Sequence, residues 1–142
     1  MRRTLTVDEM DRWVAWKRAS DRVWSEVLTE IQHATGLSGA DFSVLTRAVE
    51  AEDPLRQQDL ADDLDWSRSR LSRHLSRMEA RGLVERTTTG GATTIAPTDT
   101  GKRLATTARQ AHADAVRRAL LNRIGPADAA IFWETIADIA RP

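Results

Sequence analysis

Residues 60–84, LADDLDWSRSRLSRHLSRMEARGLV, limit the possible folds more than any other part of the chain. Leu71, Leu75 and Met78 recur at i, i+4 and i+7, which marks one buried face of a helix. At 100° per residue, Ser69, Arg73, Ser76 and Arg77 point roughly the opposite way. Ser67 suits the helix N-cap and Gly82 suits the left-handed residue that ends it, so the helix spans about 67–81. The period then changes. Residues 83–87 and 93–96 are β-prone and flank Gly90-Gly91, which predicts a hairpin, a two-stranded wing over about 83–97. Upstream, a short helix over about 57–64, with Leu60 and Leu64 inward, leads into a turn at Asp65-Trp66. Helix, tight turn, helix and hairpin make a winged helix-turn-helix. An ordinary solvated basic helix in an all-helical domain would leave the cap, the glycine stop and the hairpin unrelated.

A helix that packs on one side and shows arginine and serine on the other suits the DNA major groove. Arginine pairs with guanine edges or phosphates, and serine contacts either. Ser69, Arg70 and Arg73 are the candidates for base edges, and Arg77 and Ser72 for phosphate. Ser67 could both cap the helix and meet phosphate, because a helix N-terminus attracts anions. His74 lies close enough to the apolar stripe that DNA contact and packing are both open. Arg68 lies near the buried face, with Asp62, Asp63 and Asp65 as alternative partners. Arg81, near the helix end, favours the helix dipole.

Charge supports this placement through its distribution. The net charge is zero. Residues 41–65 carry a local charge of −6 and residues 66–91 a local +4, and it is the local field that steers a polyanion. Nineteen of the 21 basic residues are arginine, which coding bias explains as readily as function, so position rather than number carries the argument.

The flanks read as helices. Residues 8–34 form a long amphipathic helix with Met10, Trp13, Val14, Trp24, Val27, Leu28 and Ile31 on its apolar side, ended by Gly36. Ser38 and Asp41 form a capping arrangement for a helix to about residue 51, with Phe42, Leu45 and Val49 inward. Thr98 caps a helix to about Arg123, with Leu104, Ala108, Ala111, Ala115 and Ala119 along one side. Pro126 opens a last helix over about 127–140. Leu5, Val7, Ile131, Phe132, Trp133, Ile136 and Ile139 are more apolar surface than a 142-residue monomer needs, which points to a homodimer through the two terminal regions; a monomeric helical bundle is the alternative. The expected division is 1–37 and 100–142 for dimerisation and 38–99 for DNA.

Other chemistries find little support. Without cysteine there are no disulfides or thiolate metal sites, as suits a cytoplasmic chain. No apolar run approaches the roughly 20 residues that span a bilayer. The basic start leads into charged residues rather than a signal-peptide core. His33, His74 and His112 are too scattered for a metal motif. No catalytic triad order, phosphate-binding glycine loop or dinucleotide fingerprint appears, so neither an enzyme nor a cofactor is expected.

The chain resembles the multiple antibiotic resistance regulator (MarR) family of winged-helix transcription factors over nearly its whole length. Gly36-Leu37-Ser38 with Asp41-Phe42-Ser43-Val44-Leu45 matches the segment before the DNA-binding domain. Gln58-Asp59-Leu60-Ala61 and Trp66-Ser67-Arg68-Ser69-Arg70-Leu71-Ser72-Arg73 match the helix-turn-helix. Glu79-Ala80-Arg81-Gly82-Leu83-Val84 matches the entry to the wing, and Thr98-Asp99-Thr100-Gly101 the signature after it, with Pro97 in place of leucine. One departure stands out. The family usually carries Asp-x-Arg in the wing, its arginine reaching the minor groove, and Thr89 and Gly91 hold those positions here. Arg86, at the wing base, is left as a phosphate contact.

The resemblance implies a dimer that reads a pseudo-palindrome in double-stranded DNA, with half-sites about one turn apart. It also implies a small aromatic ligand. Trp13, Trp16 and Trp24 could line a pocket for it, with Arg12, Arg22, His33 and His112 as polar partners, although a tryptophan more often serves core or dimer packing than ligand binding. The expected function is a repressor released by a ligand. The alternatives are an activator or ligand-independent regulator, and a protein-interaction module that kept the fold without DNA binding.

Overall fold

The computed structural model describes residues 4–142, and the basic start at Arg2 and Arg3 lies outside them. Helices α1 (Val7–Thr35) and α2 (Gly39–Glu50) lead to strand β1 (Leu55–Arg56), then α3 (Gln57–Leu64) and α4 (Arg68–Ala80). Strands β2 (Val84–Thr89) and β3 (Ala92–Pro97) follow, then α5 (Asp99–Ala119), a 3-10 turn (Leu121–Arg123) and α6 (Pro126–Ile139). The chain divides into two compact units: a winged unit, residues 30–111, and a terminal unit, up to Thr29 and from His112 onwards.

In the winged unit, Gly36 ends α1 with φ +72°, a backbone that favours glycine. A capping box then starts α2: the Ser38 hydroxyl accepts from the Asp41 amide and the Asp41 carboxylate accepts from the Ser38 amide, both at 3.0 Å. This box turns Asp41 inward, so the buried stripe of α2 is Asp41, Val44, Leu45 and Ala48. Phe42 and Val49, expected inside, are half-buried at the edges of that stripe. The core is closed by Ile31, Leu37, Leu71, Leu75, Met78, Leu83 and Ile95.

The expected hairpin forms, with Thr89 opposite Ala92 and a two-residue turn at Gly90 (φ +59°) and Gly91 (φ +82°), the type I′ geometry that matches strand twist. The sheet gains a third strand that the sequence did not reveal. Leu55 and Arg56 pair antiparallel with Ile95 and Thr94, giving the order β1-β3-β2. Two residues are too few for a period to show.

Thr98 locks the start of α5: its hydroxyl donates to Gly82 O at 2.5 Å and accepts from the Gly101 amide at 3.0 Å. A Cβ on Gly101 would lie 2.1 Å from Leu83 O, so only glycine fits there. Along α5, Ala105, Ala108, Ala115 and Ala119 are buried, whereas Leu104 and Ala111 are half-buried. The helix stops at Ala119 rather than continuing to Arg123. Leu120 leaves helical angles (φ −131°, ψ −64°), and the last turn tightens into a separate 3-10 piece, as is common at helix ends.

In the terminal unit, Val27, Ala115 and Ala119 are buried and Glu26 pairs with Arg118 at 2.9 Å. No residue of α6 is buried. Among the described residues, no helix is long and apolar enough to cross a membrane.

Candidate nucleic-acid interface

Helix α4 is positioned from both ends. Asp65 takes a left-handed conformation (φ +53°) at the end of α3, and the Trp66 amide donates to Ala61 O at 2.9 Å, which tightens the turn. Ser67 Oγ then accepts from the Arg70 amide at 3.2 Å. At the far end, Gly82 (φ +71°) reverses the chain, and the Leu83 amide donates to Met78 O at 3.0 Å. Leu71, Leu75 and Met78 face inward, so Ser67, Arg68, Ser69, Arg70, Arg73 and Arg77 are exposed and Ser72 is half-buried. The Arg70 guanidinium carbon sits 3.9 Å above the Trp66 ring, a cation–π contact that restrains its side chain.

Behind this face lies a buried polar hub. Asp41 is 3% exposed. Its Oδ2 accepts from Arg81 at 2.7 Å, and Arg81 also donates to Gly36 O at 3.2 Å. Arg81 therefore holds the α1–α2 junction to the end of α4, a stronger commitment than to the helix dipole. Asp41 Oδ1 lies 2.9 Å from His74 Nε2, close in distance though not aligned as a hydrogen bond. On the other side of the ring, an Arg77 guanidinium N–H lies 3.3 Å from His74 Nδ1. Arginine can only donate, so Nδ1 accepts and the proton of the neutral ring sits on Nε2, toward Asp41. The Trp66 ring meets His74 edge to face at 5.6 Å. Of the two roles open to His74, packing is the one its burial allows.

The hub sets both titrations. Burial pushes the Asp41 carboxyl up, but the Arg81 hydrogen bond, the Ser38 amide and the nearby positive charge outweigh it and hold Asp41 below the usual carboxylate range. Burial pushes His74 below its ordinary value; the Asp41 carboxylate opposes this, and Arg77 and Arg70 reinforce it.

Two arginines differ from expectation. Arg86 is committed inside the fold rather than left for phosphate. Its Nε donates to Glu79 at 2.5 Å, one terminal nitrogen donates to Ser76 Oγ at 2.7 Å, and the other reaches the Ser72 carbonyl and hydroxyl at 3.4 Å. The Gly82 reversal brings β2 back beside the last turns of α4, which makes Glu79 and the serines its nearest partners. The only sequence signal was an acid and a base seven residues apart across a glycine. Arg68 makes no ion pair with Asp62, Asp63 or Asp65; Asp63 pairs instead with Arg47, at 2.5 Å. On the wing, the Thr88 and Thr93 hydroxyls lie 3.0 Å apart.

The proposed aromatic site divides. In the terminal unit, Trp16 and Trp24 line an apolar cavity of about 320 Å³ with Val23, Phe132, Trp133 and Ile136. An adjoining cavity of about 310 Å³ shares Val23 and Phe132 and adds Arg22, Glu26 and Arg123. Trp13 and His33 line neither, and His33 lies in the last turn of α1.

Helix-turn-helix, three-stranded wing and arginine-bearing helix face together define a winged helix-turn-helix protein. Residues 41–96 match a family model described as a domain of unknown function (DUF7343). No curated protein matches the chain in sequence. The fold is similar to AbsC, a MarR family transcriptional regulator from Streptomyces coelicolor, at 26% identity and a TM-score of 0.82, covering 98% of this chain and 96% of that one. It is similar to Sco3205, a MarR family regulator from the same organism in complex with DNA, at 26% identity and a TM-score of 0.81, covering 99% and 90%. It is also similar to CouR from Rhodococcus jostii RHA1 bound to p-coumaroyl-CoA, at 30% identity and a TM-score of 0.65, covering 86% and 88%. The chain belongs to the MarR family of transcriptional regulators.

Proposed function

We propose that the chain is a homodimeric DNA-binding repressor that occupies a pseudo-palindrome in a promoter and blocks polymerase sterically. The observation that carries this is α4 itself: Leu71, Leu75 and Met78 are buried on one side, and Ser69, Arg70, Arg73 and Arg77 are exposed on the other. Ser69, Arg70 and Arg73 read base edges, while Ser67, Arg68, Ser72 and Arg77 meet phosphates. Residues 38–99 carry the DNA-binding function, and residues 1–37 and 100–142 carry dimerisation. The support for a dimer is the exposed apolar surface of the terminal unit, including Trp24, Ile131 and Ile139.

A small aromatic ligand releases the protein from DNA by favouring a conformer with misplaced recognition helices. The cavity walled by Trp16 and Trp24, with Arg22 and Arg123 beside it, suits an aromatic acid. That CouR has been solved both with a DNA duplex and with p-coumaroyl-CoA supports a regulator of this kind. A ten- to hundred-fold loss of DNA affinity requires about 1.4–2.8 kcal/mol of coupling.

Selection of fragmented genomic DNA on the purified protein, followed by sequencing, tests this. The expected result is enrichment of fragments sharing a short pseudo-palindrome upstream of genes. On such a fragment Arg73→Ala should weaken binding by about 1–3 kcal/mol and relax sequence preference, and Arg77→Ala should lower affinity evenly across sequences. No enrichment at low salt would leave a ligand-dependent binder or the interaction-module reading, the latter favoured by the arginine-free wing tip. Transcription from the selected promoter, with and without the protein, separates repressor from activator.

A further inference from the structure

We infer that the notch between β1, the first turn of α3 and the wing tip is a second seat for a DNA phosphodiester, held by Arg56 and Arg68. This rests on the DNA-binding reading above and adds to it a site away from the groove-facing side of α4. The notch is a cavity of about 460 Å³ whose walls include Arg56, Gln57, Asp59, Arg68, Gly91 and Thr93.

Among the described residues of the winged unit, Arg56, Arg68 and Arg73 are the arginines whose guanidinium groups make no ion pair, hydrogen bond or ring contact, and of these Arg56 and Arg68 line the notch while Arg73 lies on the groove-facing side of α4. Arg47, Arg81, Arg86 and Arg109 each pair with a carboxylate. Arg70 rests on Trp66, Arg77 on His74, and Arg103 donates to Thr100. Among the described residues, Arg56 and Arg68 make no ion pair and no side-chain hydrogen bond, and both are exposed. Two uncompensated cations beside one cavity repel each other unless an anion lies between them.

The backbone holds both in place. Arg56 is fixed by its pairing with Thr94 of β3, and Arg68 by the Ser67 cap that starts α4. The first turn of α3 begins at Arg56, which makes no side-chain cap, so its amides add donors to the same space. Gly91 leaves the wing tip without a side chain, and a Cβ there would meet nothing within 4 Å. Asp59 is the one carboxylate in the walls and lowers their formal charge from +2 to +1. A singly charged, tetrahedral phosphodiester matches that balance. The wing itself carries no arginine at its tip, and β1 supplies one on the adjacent strand.

The test is binding of the full chain to mixed-sequence duplex DNA across a salt series, which isolates phosphate contacts from base reading. Arg56→Ala and Arg68→Ala should each reduce affinity several-fold and flatten the slope of log K against log salt by about 0.9 per lost phosphate contact, or about 1.8 for the two copies in a dimer. Arg86→Ala should leave that slope unchanged. Asp59→Asn should tighten binding, and an unchanged affinity there counts against the seat. A parent-like slope in Arg56→Ala overturns the inference and leaves Arg68 as one of the phosphate contacts of α4. A parent that binds duplex DNA without salt dependence overturns the DNA-binding reading itself. Both arginines are exposed, so thermal unfolding should match the parent and show that the losses are not losses of fold.

Discussion

In the winged unit, Ile31, Leu45, Leu71, Leu75, Met78 and Ile95 are no more than 1% exposed, and the carboxylates of Asp41, Glu50, Asp63 and Glu79 each find an arginine within the same unit. The terminal unit is made of equally apolar residues, yet Trp24, Ile131 and Ile139 are 65%, 71% and 68% exposed and no residue of α6 is fully buried. Residue type alone does not separate the two regions. What separates them is whether the chain supplies the opposite wall. The winged unit closes its core with a sheet and three helices of its own. The terminal unit leaves large apolar side chains, Trp24, Ile131 and Ile139 among them, open on its surface. On the reading proposed above, a second copy is that missing wall.

The strongest way to break this contrast is to charge the open surface. Ile131→Asp combined with Ile139→Asp should yield a monomer by sedimentation equilibrium and cost about a hundred-fold or more in affinity for a selected genomic fragment, because paired half-sites act multivalently. In a true monomer, substitutions at such exposed positions would shift stability by only about 0.5 kcal/mol. A dimer that survives both aspartates would mean that the terminal surface is covered by something else.

A smaller effect probes the self-sufficiency of the winged unit. Asp41→Ala removes the acceptor for the Ser38 amide and Arg81 and the carboxylate facing His74. It should destabilise the protein to denaturant by about 1–3 kcal/mol, the cost of stranding buried partners. The penalty falls short of the roughly 3–5 kcal/mol of a fully buried pair, because the Arg81 side chain is 44% exposed and can turn to water.

The smallest effect concerns pH. Asp41 and His74 both have folded-state values below their ordinary ones, so the unfolded chain binds more protons than the folded one. Their contribution is complete at neutral pH and falls on acidification. His74 contributes first, as the pH drops below about 6.5, and Asp41 follows below about 3.9. Denaturant melts across this range should show two limbs, and His74→Gln should remove the upper one. A single limb in the parent would contradict the neutral, buried ring.

Much of the winged unit could be read from local pattern. The stripe of Leu71, Leu75 and Met78, the caps at Ser38, Ser67 and Thr98, and the Gly90-Gly91 turn each depend on neighbours within a few residues. What could not be read depends on distance along the chain. Arg81 meets Asp41 across 40 residues, and β1 is two residues long with a partner strand that starts 36 residues after it. Arg86 is the intermediate case, near in sequence but dependent on how sharply Gly82 turns the chain. In the terminal unit the periodicity of α1 correctly marks an apolar face, but periodicity carries no information about which of Trp13, Trp16 and Trp24 will meet a wall. Trp16 and Trp24 line a cavity with Phe132 and Trp133, Trp24 while still largely exposed, and Trp13 is not among its lining residues.

The clamp at Arg86 bears on how the wing lives in solution. A hairpin of six-residue strands is marginal by itself in water. This one is fastened at its base to Ser76 and Glu79 and along its edge to Leu55 and Arg56. It therefore has no melting transition of its own: its amides open to exchange when the helix beneath it opens, and the two ends of the reading head share one lifetime.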